Sequence, residues 1–328
     1  MDATEISFGM VILLQISIGL AVNIHLLLFY ICLVSIKHRL SSSDLILTHL
    51  ALANVINLLT RGVPDILSLW GLRNFLDDVG CKILIYFHRV ARGLSICTTC
   101  FLSIFQAITI SPGTSRWSRV KAKLPKCVIP CFLSFWVLSL LIDVSALIYI
   151  IGPQNITVIE YSFMLTYCSS VSISEETTLL NTAIISLRDL FFMWLMSVAS
   201  GYMVFVLHRH HRQVRHLHGP GHSPKAMPEV QAAKRIISLM ALYLLLYGLE
   251  IIVVRIFLNV TNKSLQENSI LDLSLTFSVI SPFLMIHSNQ RVRLCGKRKP
   301  ISNLDASLVC REASSSLPVT SAKPDGRV

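Results

Sequence analysis

Seven apolar stretches, each about as long as the ~20 residues with which an α-helix crosses a bilayer, divide this chain, and the segments between them carry Lys and Arg almost entirely on alternate sides. The pattern predicts an all-α membrane protein, a seven-transmembrane-helix bundle with the N-terminus outside and the C-terminus cytoplasmic. Spans are read at 8–36, 42–70, 78–111, 124–151, 183–207, 234–260 and 268–288. They leave a short outer N-terminus (1–7), a transmembrane domain (8–288) and a basic, then Ser-, Pro- and Thr-rich cytoplasmic tail (289–328) expected to be disordered. Charged residues make up only 14% of 328, too few to clothe a soluble fold of this size.

On this partition the predicted inner segments hold 21 of the 29 Lys and Arg, whereas Arg73, Lys82 and Lys263 fall outside. The net charge of +11 then belongs to surfaces that face membrane lipid and cytoplasmic partners, and needs no nucleic acid to explain it. Three N-x-[ST] sequons agree with the orientation, since Asn155, Asn259 and Asn262 all fall in predicted outer segments. Asn155 sits in a long loop and is the expected glycosylation site. Asn259 and Asn262 hug the end of span 6, where an unmodified turn is the alternative. Asp2 and Glu5 ahead of an overlong apolar run do not resemble a cleavable leader, so span 1 is read as an uncleaved anchor.

Of nine cysteines, Cys32, Cys97, Cys100, Cys127 and Cys131 lie in apolar helix, where a reduced thiol packs as a small hydrophobe. Cys97 and Cys100 have C-x-x-C spacing but no second ligand pair, so no metal site or cofactor is predicted. Cys81 and Cys168 are the two on the outer, oxidising side and are expected to form a disulfide pinning the second outer loop to the top of span 3. Cys295, among basic residues just past span 7, is a palmitoylation candidate, with a free thiol as the alternative. The run of His208, His210, His211, His216, His218 and His222 reads as a solvated basic loop extending span 5 rather than a zinc tract.

Ionisable residues inside spans are costly and therefore informative. Nine charged residues lie away from the span ends: Arg61, Asp65, Arg89, Arg92, Asp143, Arg188, Asp189, Glu250 and Arg255. Counted inward at about 1.5 Å per residue, all fall in the outer half of a span or near the midplane, which predicts a polar chamber open to the outside above an apolar base. Arg61 and Asp65, four apart, share a helix face and can satisfy each other. His88, Arg89 and Arg92 form a basic face on span 3, whose expected partners are Asp143 and Glu250. With Arg188 these residues are the candidate ligand site, a structural ion network being the alternative. Asn23, His49, Asn54 and Asn57 lie deeper and read as interhelical ties. Pro64, Pro130 and Pro282 are expected to kink spans 2, 4 and 7.

The run from Arg89 through Cys97-Thr-Thr-Cys100 to Phe105-Gln-Ala-Ile-Thr-Ile-Ser-Pro112 resembles the helix 3 signature of vomeronasal type 1 receptors. His49-Leu-Ala-Leu-Ala-Asn54, the sequon at Asn155 and Ser281-Pro-Phe283 are similar to the same family. The resemblance implies a G-protein-coupled, chemosensory receptor for a small pheromone-like ligand, in the plasma membrane of chemosensory neurons and coupled to an inhibitory-type heterotrimeric G protein. Ala107-Ile-Thr-Ile110 supplies no ionisable group where rhodopsin-like receptors close helix 3 with an acid and an arginine, so no inner salt bridge can be carried over. The alternative from another class, a small-solute transporter, would show an internal repeat and ionisable groups reachable from both sides. No nucleophile, base and orienter assemble in the sequence, so an enzyme is not expected.

Overall fold

Apolar stretches that must pair every backbone N–H and C=O without water are confined to helix, and the computed structural model is mainly helical over the residues it describes. These are 3–37, 41–72, 75–112, 115–152, 163–164, 167–170, 175–218, 237–246, 248–249, 275–283 and 286. In order come α1 (Ala3–Lys37), α2 (Ser42–Asn57), a π turn (Leu58–Gly62) running into α3 (Val63–Leu69), α4 (Asp78–Ile110), α5 (Ser115–Ile142), the short α6 (Ser145–Tyr149) and α7 (Glu175–His218). Helix is found again at 237–246 (α8) and 275–283 (α9). Five stretches are long and apolar enough to cross a membrane: Gly9–Ser35, Ser42–Ser68, Asp78–Ile110, Ser118–Tyr149 and Leu179–Arg209. They coincide with the first five predicted spans. Spans 6 and 7 are described only at α8 and α9, and Glu250, Arg255, Asn155, Asn259, Asn262, Cys295 and the tail lie outside the described residues.

Two expected inner loops differ from the prediction. α5 starts at Ser115 and α7 runs on to His218, because residues 115–124 contain neither Gly nor Pro and nothing interrupts α7 strongly before Gly219-Pro220-Gly221. The predicted kink at Pro64 takes a specific form. Proline lacks an N–H and its ring would strike the carbonyl four residues back, and the chain absorbs this with the wider π turn just ahead of it. That turn presses on α1: a Cβ at Gly62 would stand 2.7 Å from Ile16 Cδ1.

α4 is the central element and packs against α2, α5 and α7. Its buried face is built of small residues, including Ala91, Gly93, Ser95, Cys97, Thr98, Thr99, Cys100 and Ser103, which let neighbouring backbones approach. The outer circumference is reversed in polarity relative to a soluble protein. Leu28 on α1, Leu141 on α5 and Leu187 on α7 are 60%, 68% and 69% exposed, which marks these faces as lipid-facing. Cys127 is exposed on the same α5 surface, whereas Cys97 and Cys100 are buried as expected.

The inner half is apolar, built around Leu26, Tyr30, Leu50, Phe101, Phe105, Met196, Met203 and Met240. The deeper polar residues act as ties. Asn23 Nδ2 donates to the Ser278 carbonyl (2.9 Å), Asn54 Nδ2 to Ser281 Oγ (2.8 Å) and Asn57 Nδ2 to Ser278 Oγ (2.9 Å), joining α1 and α2 to α9. Trp136 Nε1 donates to His49 Nε2 (3.0 Å). The proton of the neutral imidazole is then on Nδ1, which reaches Thr98 Oγ1 at 2.9 Å. At the inner end of α4, the Ser111 carbonyl accepts from Lys121 Nζ (2.6 Å) and its Oγ pairs with Tyr202 Oη of α7 (2.9 Å).

Candidate functional site

The buried charges expected to line an outer chamber are brought together from several elements. α5 breaks at Asp143, whose N–H still reaches the Ser139 carbonyl (3.0 Å) while α6 continues beyond. The Leu140 carbonyl near this break accepts from Tyr86 Oη of α4 (3.1 Å). Asp143, wholly buried, meets Arg188 from α7: Nη1 lies 2.7 Å from Asp143 Oδ2, and Nε lies 3.0 Å from Asp189 Oδ1. One guanidinium thus bridges two buried carboxylates with two different edges of its fork.

This corrects one sequence expectation. The direct contact to Asp143 is made by Arg188, and Arg89 of the basic α4 face acts on it only at longer range. The reason is steric: Arg188 crosses α4 at Gly93, where an added Cβ would lie 2.9 Å from Arg188 Nη1 and 3.0 Å from Ser139 Oγ. Only a residue without a side chain leaves room there. We expect Gly93→Ala to lower thermal stability and surface abundance. Alanine in a helix gains about 1 kcal/mol over glycine, but overpacking a buried site costs about 1–3 kcal/mol, and Arg188 is held by two carboxylates and cannot retreat. A thermal-shift measurement on the solubilised protein checks the sign.

A second cluster lies on the outer part of the second span. Arg61 sits in the π turn and its Nε is 3.0 Å from Asp65 Oδ2, one turn on, with Asp65 fully buried, as their spacing predicted. Above them the second outer loop folds inward. Its backbone forms a small antiparallel sheet in which Ser169–Ser170 pairs with both Ile150–Ile151 and Phe163–Met164. The predicted disulfide between Cys81, near the outer end of α4, and Cys168 is present, with a Cα–Cα separation of 5.8 Å. Asp78 accepts from the Gly152 N–H (2.6 Å), so the loop is fastened to α4 at two points.

Tyr167, next to the disulfide, is wholly buried and packs its ring near Phe75 (6.2 Å between centroids). Its phenol lies within reach of Arg61 and Asp65. Burial pushes its hydroxyl well above the ordinary tyrosine range, opposed by the Arg61 charge and reinforced by that of Asp65, so it stays protonated. Periodicity gave no hint of this residue. The one available signal was its place beside a cysteine already expected to be bonded to α4.

His88, Arg89 and Arg92 line the α4 side between these clusters. Arg89 is in electrostatic reach of Asp143, Arg188 and Arg92, and His88 of Arg61, Arg89 and Arg92. Five of the six predicted ligand-site residues, His88, Arg89, Arg92, Asp143 and Arg188, thus form one electrostatically connected group, and Glu250 lies outside the described residues. Among the described residues Arg89 makes no hydrogen bond or ion pair, and His88 Nδ1 is buried without a hydrogen-bond partner. Among the described residues Arg61 and Arg188 are paired to aspartates, whereas Arg89 has no such carboxylate against it.

Sequence comparison places this architecture. The profile of the vomeronasal organ pheromone receptor family matches residues 6–297. The chain belongs to that family. Olfactory receptor class A-like protein 1 of Danio rerio is 35% identical over 295 residues, spanning 89% of this chain and 92% of its own length. Vomeronasal type-1 receptor 4 of Homo sapiens is 36% identical over 298 residues, spanning 90% and 98%. Vomeronasal type-1 receptor 2 of Homo sapiens is 35% identical over 286 residues, spanning 86% and 72%. This member of the vomeronasal receptor family is a multi-pass membrane protein of chemosensory receptor type, and its buried outer charges sit on the receptor's own helices rather than on an appended domain.

Proposed function

We propose that the receptor spans the membrane seven times with its N-terminus outside and its C-terminal tail in the cytosol, and that the outer chamber binds a small pheromone-like ligand carrying an anionic or hydrogen-bond-accepting group. Binding favours the helix arrangement whose inner face accepts an inhibitory-type heterotrimeric G protein, a shift that requires tighter ligand binding in that arrangement. Its setting is the plasma membrane of chemosensory neurons, with a glycan on Asn155. The observation that carries this reading is the buried charge of the outer half, in which Arg89 lacks the paired carboxylates that hold Arg188. The apolar cluster described in the inner half supports a chamber closed below rather than a through-passage.

Cells expressing the receptor with a promiscuous G protein, screened against small acidic and neutral volatiles, test this. Arg89→Gln is expected to raise the half-maximal concentration of an acidic agonist about 10- to 100-fold at unchanged surface level, the value of a hydrogen bond to a charged group. Full sensitivity of that variant to every agonist would remove Arg89 from the site.

A further inference from the structure

Between Asp78 and Asp143 the sequence contains no acidic residue, so the cations that open α5 have no carboxylate on their own helix before its outer break. Arg119, Lys123 and Lys126 are all exposed, and among the described residues none of the three forms an ion pair or hydrogen bond. Lys121, by contrast, turns inward to the Ser111 carbonyl. The first turns of α5 therefore separate one structural lysine from three unengaged cations.

Their angular position says what those three face. At about 100° per residue, 119, 123 and 126 fall within about 40° of one line along the helix, and the same line carried outward passes through 133, 137 and 141. Leu133, Val137 and Leu141 are 63%, 56% and 68% exposed, which identifies this side of α5 as lipid-facing. Lys126 precedes Leu133 by about 10 Å of helix rise, so the cations stand where the hydrocarbon gives way to headgroups. Three cations that continue a lipid-facing stripe, at that depth, match the charge of anionic headgroups.

We propose that Arg119, Lys123 and Lys126 form a docking stripe for the phosphate groups of anionic lipids in the adjoining leaflet. The exposed apolar side chains above them hold the acyl chains, and the three cations select the headgroup.

The full-length receptor reconstituted in phosphatidylcholine bilayers, with spin-labelled phosphatidylserine or phosphatidylcholine as trace probe, measures the preference as the motionally restricted fraction of each. Wild type is expected to favour phosphatidylserine about fivefold or more, the factor supplied by roughly one cation at the headgroup layer. The preference should fade in 1 M salt, where screening acts within about 3 Å. The triple change Arg119→Gln, Lys123→Gln, Lys126→Gln should bring the ratio close to one. The charge-preserving set Arg119→Lys, Lys123→Arg, Lys126→Arg should keep it, as should Arg209→Gln, Arg212→Gln, Arg215→Gln on α7, which removes equal charge elsewhere. A triple-Gln protein with undiminished preference, or a loss no larger than that of the α7 set, overturns the stripe. So does weakened G-protein coupling with lipid preference intact, which would assign these cations to a protein partner. The lipid readout requires no agonist, so its outcome is independent of the proposed signalling.

Discussion

Replacing Arg188 with methionine should strip most of the receptor from the cell surface. Methionine fills similar volume, but Asp143 and Asp189, 0% and 2% exposed, would face each other with no cation between them. Removing one partner of a buried ion pair costs about 3–5 kcal/mol, a large share of the stability of an ordinary domain. Arg188→Lys should be intermediate, because a single ammonium cannot reproduce the fork that reaches both carboxylates from Nη1 and Nε. Adding Asp143→Asn and Asp189→Asn to the methionine variant should restore part of the surface signal by removing the orphaned charges. Flow cytometry on intact cells, with thermal stability measured without agonist, separates this structural effect from any loss of binding. Normal surface levels for the single methionine variant would mean that the cluster does not hold the helices together.

Cys168→Ser should have an effect of similar size by a different route. The disulfide closes a loop between positions separated by 87 residues, and chain entropy assigns such a crosslink about 4–5 kcal/mol. The lipid already restrains the helices it joins, so the realised loss will be smaller. The further consequence is local: Tyr167 is held over Arg61 and Asp65 by its neighbour's bond to α4, and without that bond the roof of the chamber loses its anchor. Cys81→Ser should match Cys168→Ser, and the double variant should be no worse than either, because all three remove one and the same bond. Surface abundance and mobility on non-reducing gels give the comparison. Additive losses would show that one cysteine acts through another partner.

How much of this was legible in the sequence depended on whether depth or direction was at stake. Depth along the membrane follows from counting residues, so the start of α4 at Asp78, the shared depth of Arg89, Asp143 and Arg188 and the Arg61–Asp65 pair were all readable, whereas Asp44, buried in the first turn of α2, was not. Direction around each helix was not. Asp143 and Arg89 lie at similar depth and looked like partners, but the choice of Arg188 was made by Gly93, a residue whose contribution is the absence of a side chain. Pro64 announced a distortion without saying which kind, since a kink, a local unwinding and a π turn all answer the same missing N–H. The extensions of α5 and α7 were hidden by charge, because a basic segment without Gly or Pro reads as loop by polarity and as helix by propensity. Tyr167 belongs to a loop, where no periodic pattern exists to expose an inward-facing ring.

The π turn makes the two ends of the second span independently adjustable. Everything on its inner side, including Asn54 and Asn57 with their bonds to α9, is indexed from below, whereas Asp65 and Ser68 are indexed through one surplus residue. Deleting a single residue from Leu58–Gly62 would rewind the bulge to ordinary helix and leave Asp65 close to its present facing, whereas the same deletion in regular helix would swing everything beyond it by about 100°. A bundle built this way can gain or lose a residue midway along one span while both of its ends stay in place.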